Sequence, residues 1–176
     1  MSRLRIVTLT SIAMLAFAGN SLLCRIALMR SGIDAASFTA IRLIAGALML
    51  LLVVRLRGTS MVGHGNWLSA LTLFAYAASF SYAYVSLPAA PGALLLFGAV
   101  QVTMIGYGIR VGERLRKSQV FGLLLAFVGL VGLLLPGISA PPVLGSLLML
   151  SAGTAWGVYS LRGKTAGDPT QVTAGN

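Results

Sequence analysis

Six apolar stretches joined by short connectors limit what this chain can become. Ile6–Cys24 carries no charge, and Ala35–Val54 is interrupted only by Arg42. Trp67–Leu87 is ended by Pro88, and Pro91–Ile109 opens on a proline suited to a first helical turn, where no backbone N–H is needed. Val120–Leu135 stops at Pro136-Gly137, and Val143–Leu161 follows Pro141-Pro142. A helix needs roughly 20 apolar residues to cross the hydrocarbon core, and each run approaches that length. Alternation with period two is absent, so the shorter strands of a β-barrel do not fit. The expected fold is all-α, a polytopic bundle of about six transmembrane helices.

Composition supports this reading. Of 176 residues, 57% are hydrophobic and 9% charged, against about 25% charged in soluble domains. So few charges cannot coat a water-exposed surface, and the mean hydropathy is +0.92. The net charge of +10 does not indicate nucleic acid. Such binding needs several cations on one solvated face, whereas these lie in small groups between uncharged runs. No nucleic-acid partner is expected; the partners are the lipid bilayer and a small-molecule substrate.

Orientation follows from the basic residues. Arg3, Arg5, Arg55, Arg57, Arg110, Arg114, Arg116, Lys117, Arg162 and Lys164 all fall on one side of a six-span chain. Arg30 lies on the other, with Arg25 and Arg42 near that face. The N-terminus is therefore expected in the cytoplasm and the protein in a cell membrane, the bacterial inner membrane. Arg3 and Arg5 before an apolar stretch, with Ala16-Phe17-Ala18 before Gly19, also resemble a secretory signal and its cleavage site. However, Ser21-Leu22-Leu23-Cys24 carries the run on to spanning length, and the later connectors make topological sense only if this helix is retained.

Ionisable and amide groups inside the spans are the functional candidates. Arg42 sits roughly 10–12 Å into the second span at 1.5 Å per residue. It shares a helix face with Ala35, Thr39 and Gly46, while Ile41, Ile44, Leu48 and Leu51 suit lipid. Two readings of Arg42 stand side by side: a cavity residue, or a long stem reaching the outer headgroups. Ser11, Met14, Ala18, Ser21 and Arg25 form a stripe on the first span, with Asn20 beside it. Arg25 reads better as an interface anchor. The Asn20 amide needs a partner on another helix. Thr72, Tyr76, Ser79 and Ala83 form a row on the third span, with Trp67, Tyr82 and Tyr84 as an aromatic belt at its ends. On the fourth, Gly98, Gln101, Ile105 and Gly108 share a face that would hold the Gln101 amide inside the bundle. The expected substrate-binding residues are Asn20, Arg42, Tyr76 and Gln101. Gly108-x-x-x-Gly112 and Gly153-x-x-x-Gly157 have the spacing for close helix approach.

The only acids, Asp34, Glu113 and Asp168, fall in connectors or at helix ends, so an anionic or zwitterionic substrate is favoured over a cation. There is no full phosphate-cradling Gly-x-x-x-x-Gly-Lys-Ser/Thr loop, since Gly163-Lys164-Thr165 is preceded by Val158 where the first glycine would stand, and no credible Ser–His or Cys–His pair. The single histidine, His64, lies in a Gly-rich connector and reads as solvated. One cysteine, Cys24, can form neither an intrachain disulfide nor a thiolate zinc site. No enzyme activity, cofactor or metal is expected.

An internal repeat is visible. Phe17-Ala18-Gly19-Asn20 with Arg25 aligns with Trp156-Gly157-Val158-Tyr159 with Lys164, each basic residue at the same distance after its aromatic. Together with Ser37-Phe38-Thr39-Ala40-Ile41-Arg42-Leu43, Gly112-Glu113-Arg114-Leu115, Gln119, the Gly122…Gly129 helix and Ala155-Trp156, the chain resembles the EamA-like branch of the drug/metabolite transporter superfamily. The resemblance implies a ten-helix exporter of two five-helix repeats, moving small metabolites or drugs by alternating access. On that basis residues 1–137 are the first repeat and 138–176 the first helix of an incomplete second. The chain is then expected to be a truncated transporter, with a second copy or a partner supplying the missing helices. The other expectation is a non-transporting membrane subunit that only packs with partner helices.

Overall fold

A computed structural model describes residues 2–59, 65–134 and 141–176. His64, Leu135 with Pro136-Gly137, and the boundary at 137/138 lie outside the described residues. The described residues form seven helices and no strand: α1 (Arg3–Arg30), α2 (Ala35–Leu56), α3 (Trp67–Ser86), α4 (Ala89–Arg110), α5 (Lys117–Leu134), α6 (Val143–Gly163) and α7 (Pro169–Gly175). Five of them, α1 to α4 and α6, are long and apolar enough to cross a membrane. α5 has 18 residues, roughly 27 Å at 1.5 Å per residue, close to the thickness of the hydrocarbon core. The protein is a multi-pass helical membrane bundle.

Local chemistry sets the helix ends. The Asp34 carboxylate accepts from the amides of Ala36 and Ser37, both at 2.9 Å, and starts α2. Asn66 caps α3 and Asp168 caps α7 in the same way. Side-chain acceptors of this kind satisfy amides that have no partner within the helix. Pro88 and Pro142 stand just before α4 and α6, and Pro91 falls in the first turn of α4. The Arg116 amide donates to Gln119 Oε1 at 2.7 Å, one half of a capping box at the start of α5.

α6 packs against both α3 and α4, α2 lies on α3, and α1 touches α3 and α4. α5 meets α4 alone among pairs with substantial contact, and α7 rests on α2. The buried core joins Phe80, Ala83, Tyr84 and Leu87 of the α3 end to Leu95 and Leu96 of α4 and to Met149 and Ala152 of α6. Gly153 and Gly157 make the α4–α6 approach possible, as their spacing predicts. A Cβ on Gly153 would stand 2.6 Å from that of Ala99, and one on Gly157 2.8 Å from that of Thr103.

Gly108 and Gly112 act differently from the packing role their spacing suggests. Gly112 has φ +94°; its amide donates to Ile109 O at 3.0 Å, while the Glu113 amide donates to Gly108 O at 2.9 Å. This is a Schellman closure of α4, which needs a glycine where the backbone turns left-handed. Tyr84 also departs from expectation. Trp67 is 79% exposed and Tyr82 49%, as belt residues should be, but Tyr84 is 0% exposed. Its ring packs edge-on to Phe80 and its hydroxyl donates to Ala89 O at 3.3 Å, because the tight α3–α4 connection folds Gly92 against it.

The two ends of the bundle carry different polar contacts. At one, Arg162 of α6 donates to Asn66 Oδ1 at 2.7 Å and Ser69 Oγ at 3.1 Å, and Arg57 donates to Thr170 Oγ1 at 3.2 Å. At the other, Arg25 donates to the carbonyls of Tyr84 at 2.6 Å and Val85 at 3.0 Å. The end of α1 thus meets the end of α3, and the end of α6 meets the start of α3, as alternating spans require.

Candidate functional site

The Ala35/Thr39 face of α2 is buried against α3, and Ile41, Ile44 and Leu48 point outward. One turn deeper, Arg42 is half-buried and donates to Ser81 Oγ on α3 at 3.2 Å. The Ser81 hydroxyl spends its own proton on Ala77 O at 2.9 Å, which leaves its lone pairs for the guanidinium. The guanidinium carbon lies 5.0 Å from the Phe80 ring centre and 5.6 Å from that of Phe38. Cation–π attraction of this kind strengthens when water is scarce. Arg42 is therefore folded against α3 rather than extended along α2 toward the headgroups. With one hydrogen bond to a described residue and five donors available, it retains capacity for an anion.

That capacity faces space. A cavity of about 700 Å³ runs between α2 and α3 from Arg42 and Tyr76 to Trp67, Thr173 and Asn176. Its volume lies in the range of roughly 300–1,000 Å³ typical of small-molecule sites. On the other side of Tyr76 is a void of about 10 Å³, lined by Asn20, Ser21, Phe97 and Trp156. Tyr76 forms the wall between the two. Asn20 Oδ1 accepts from Cys24 Sγ at 3.6 Å, within its own helix.

Three of the four expected site residues, Asn20, Arg42 and Tyr76, are thus grouped around α3. Gln101 is not among them: it is exposed on α4 and lines neither cavity. The face of α4 turned to the bundle runs through Gly92, which meets Tyr84 of α3, and Leu96, Ala99 and Val100, which meet Gly153 and Gly157 of α6. Arg25, as a C-terminal cap on α3, is held by the two carbonyls.

Sequence reasoning missed the aromatic column that builds the wall. Phe97 meets Phe17 at 5.8 Å, and Phe17 meets Trp156 at 6.4 Å. Trp156 meets Tyr76 at 4.8 Å, and Tyr76 meets Phe80 at 5.4 Å. The signal was present as Tyr76, Phe80 and Tyr84, one helical turn apart. α7 was missed as well; it lies across the lower end of α2, where Tyr159 donates to Thr173 Oγ1 at 2.9 Å.

Comparison with known proteins settles the lineage. The model of the EamA-like transporter family matches residues 4–135. The chain belongs to the EamA-like transporter family. It is also 58% identical over 173 residues to an uncharacterized protein of Pseudomonas aeruginosa, covering 98% of this chain and 60% of that one. The chain spans about 60% of the length of this relative. No solved structure matches it.

Proposed function

We propose that this chain is part of a secondary transporter that exports a small anionic or zwitterionic metabolite across the bacterial inner membrane by alternating access. The observation that carries the reading is Arg42, bound to α3 through Ser81 and facing the cavity between α2 and α3. A cation held inside a span is costly unless it serves a function, and an anion is its natural partner. Tyr76 joins it at the cavity wall and Asn20 lines the adjoining void. Gln101 is left outside this site.

The two-repeat organisation, with residues 1–137 as one repeat and 138–176 opening the next, gains support from one contact. Phe17 and Trp156, equivalent in the internal alignment, meet edge-on at 6.4 Å. Residues related by a two-fold axis meet each other only near that axis, and both α1 and α6 pack on α3 and α4. Rocking of one repeat against the other about this point would expose the site alternately.

Proteoliposomes loaded with a panel of labelled amino acids and carboxylates test the reading. The chain would be reconstituted alone and extended by the part of the Pseudomonas relative beyond it. Efflux of at least one solute from the extended form, abolished by Arg42→Met and partly kept by Arg42→Lys, is the expected result. Absence of flux from both forms would favour a subunit that only packs with partner helices.

A further inference from the structure

We infer that the cavity between α2 and α3 selects an organic monocarboxylate with an apolar body and rejects the corresponding amino acid. The inference rests on the transport reading of this site and narrows its substrate class. At the deep end, Arg42 offers donors for a carboxylate. The walls that lead to it are apolar, with Leu43, Leu50, Leu71 and Phe74 among them. Such walls suit an aryl or branched alkyl body.

An ammonium group would find no carboxylate side chain, and near Arg42 only the neutral Tyr76 hydroxyl could accept from it. The chain's three acids are Asp34, Glu113 and Asp168, and none of them lines the cavity. Arg42 and the Trp67 indole are donors only. At the far end the polar oxygens are neutral and each already accepts one hydrogen bond: Thr173 Oγ1 from Tyr159, and Asn176 Oδ1 from the Asn66 amide at 2.7 Å. Moving an ammonium from water into such a space without a carboxylate side chain to pair with is strongly unfavourable. Access to Arg42 depends on Gly46, one turn along the same face. Gly46 lines the cavity, and a Cβ built there has nothing within 4 Å, so a side chain can start from this position unobstructed.

3-Phenylpropionate and phenylalanine differ only by the ammonium, and titration calorimetry on the 176-residue chain in nanodiscs compares them. The expected result is 3-phenylpropionate binding at least about tenfold tighter than phenylalanine, the scale of an unpaired charged group. Arg42→Met should weaken 3-phenylpropionate by about tenfold or more, and Arg42→Lys by less. Gly46→Leu should weaken it as strongly while helicity and melting temperature stay at wild-type values, which separates a filled cavity from a damaged fold. Equal affinity for phenylalanine would overturn the selectivity and leave transport standing. Binding as expected without flux in proteoliposomes would remove transport and leave the selectivity. Failure of 3-phenylpropionate to bind overturns the inference. So does mass-spectrometric detection of a retained phospholipid that it does not displace.

Discussion

Along α6, Gly153 and Gly157 turn bare Cα atoms onto the backbone and small side chains of α4, with no room for even one added carbon. Along α2, Gly46 turns the same absence of a side chain toward open space beside α3. The first seam closes because Ala99 and Thr103 on the facing helix are small enough to let two helices touch. The second stays open because Arg42 and Ser81 hold α2 to α3 at one level while Gly46 and Ala47 leave the next level unfilled. Within a membrane, helices gain little from excluding lipid, so contact quality decides which seams close. One residue type thus gives this protein both a close helix contact and an open cavity, according to what stands opposite.

The largest effect should come from closing that comparison at the tight seam. Gly153→Leu puts a side chain against the Leu96 carbonyl and Ala99, neither of which is a flexible side-chain end. Overpacking at such a site costs about 1–3 kcal/mol or more. Thermal unfolding in detergent should show a marked loss of stability, where Gly46→Leu shows none. A Gly153→Leu protein as stable as wild type would mean that the two seams do not differ as described.

A smaller effect should separate the two outer arginines. Arg25 binds the last carbonyls of α3, and Arg42 faces the cavity. Arg25→Gln should cost about 1 kcal/mol of stability through the lost cap while leaving ligand affinity unchanged. Loss of affinity without loss of stability would move Arg25 into the site and blur its contrast with Arg42.

Much of this arrangement is legible in the sequence, for reasons that differ by element. The spans are visible because length and apolarity alone fix them. The outward face of α2 at Ile41, Ile44 and Leu48 follows from the polar positions opposite, and Gly153/Gly157 from spacing. Gln101 and Tyr84 were misplaced because lipid and protein interior are equally apolar. Hydropathy therefore marks a span but not which face of it neighbours cover. Gly108 and Gly112 carry the spacing of a packing motif, yet the chain leaves the helix there, and the turn rather than a neighbour uses them. α7 has seven residues and little apolar content, so only its Asp168 cap announced it.

The smallest effect concerns the connector that delivers α2 to the cavity. Hydrogen bonds from the Ser37 hydroxyl and amide, then from the Ala36 amide, hold the Asp34 carboxyl below the ordinary carboxylate range. Because the folded-state value is lowered, the stabilisation is complete above the unfolded pKa and disappears as pH falls through the folded one. Asn caps a helix about as well as Asp but carries no charge. Wild type should therefore melt slightly above Asp34→Asn at neutral pH, and the gap should close in acid. A gap that persisted in acid would trace to geometry rather than ionisation. In either case Arg42 should keep its ligand affinity, because Asp34 fixes only where α2 begins and the Ser81 contact fixes where the guanidinium points.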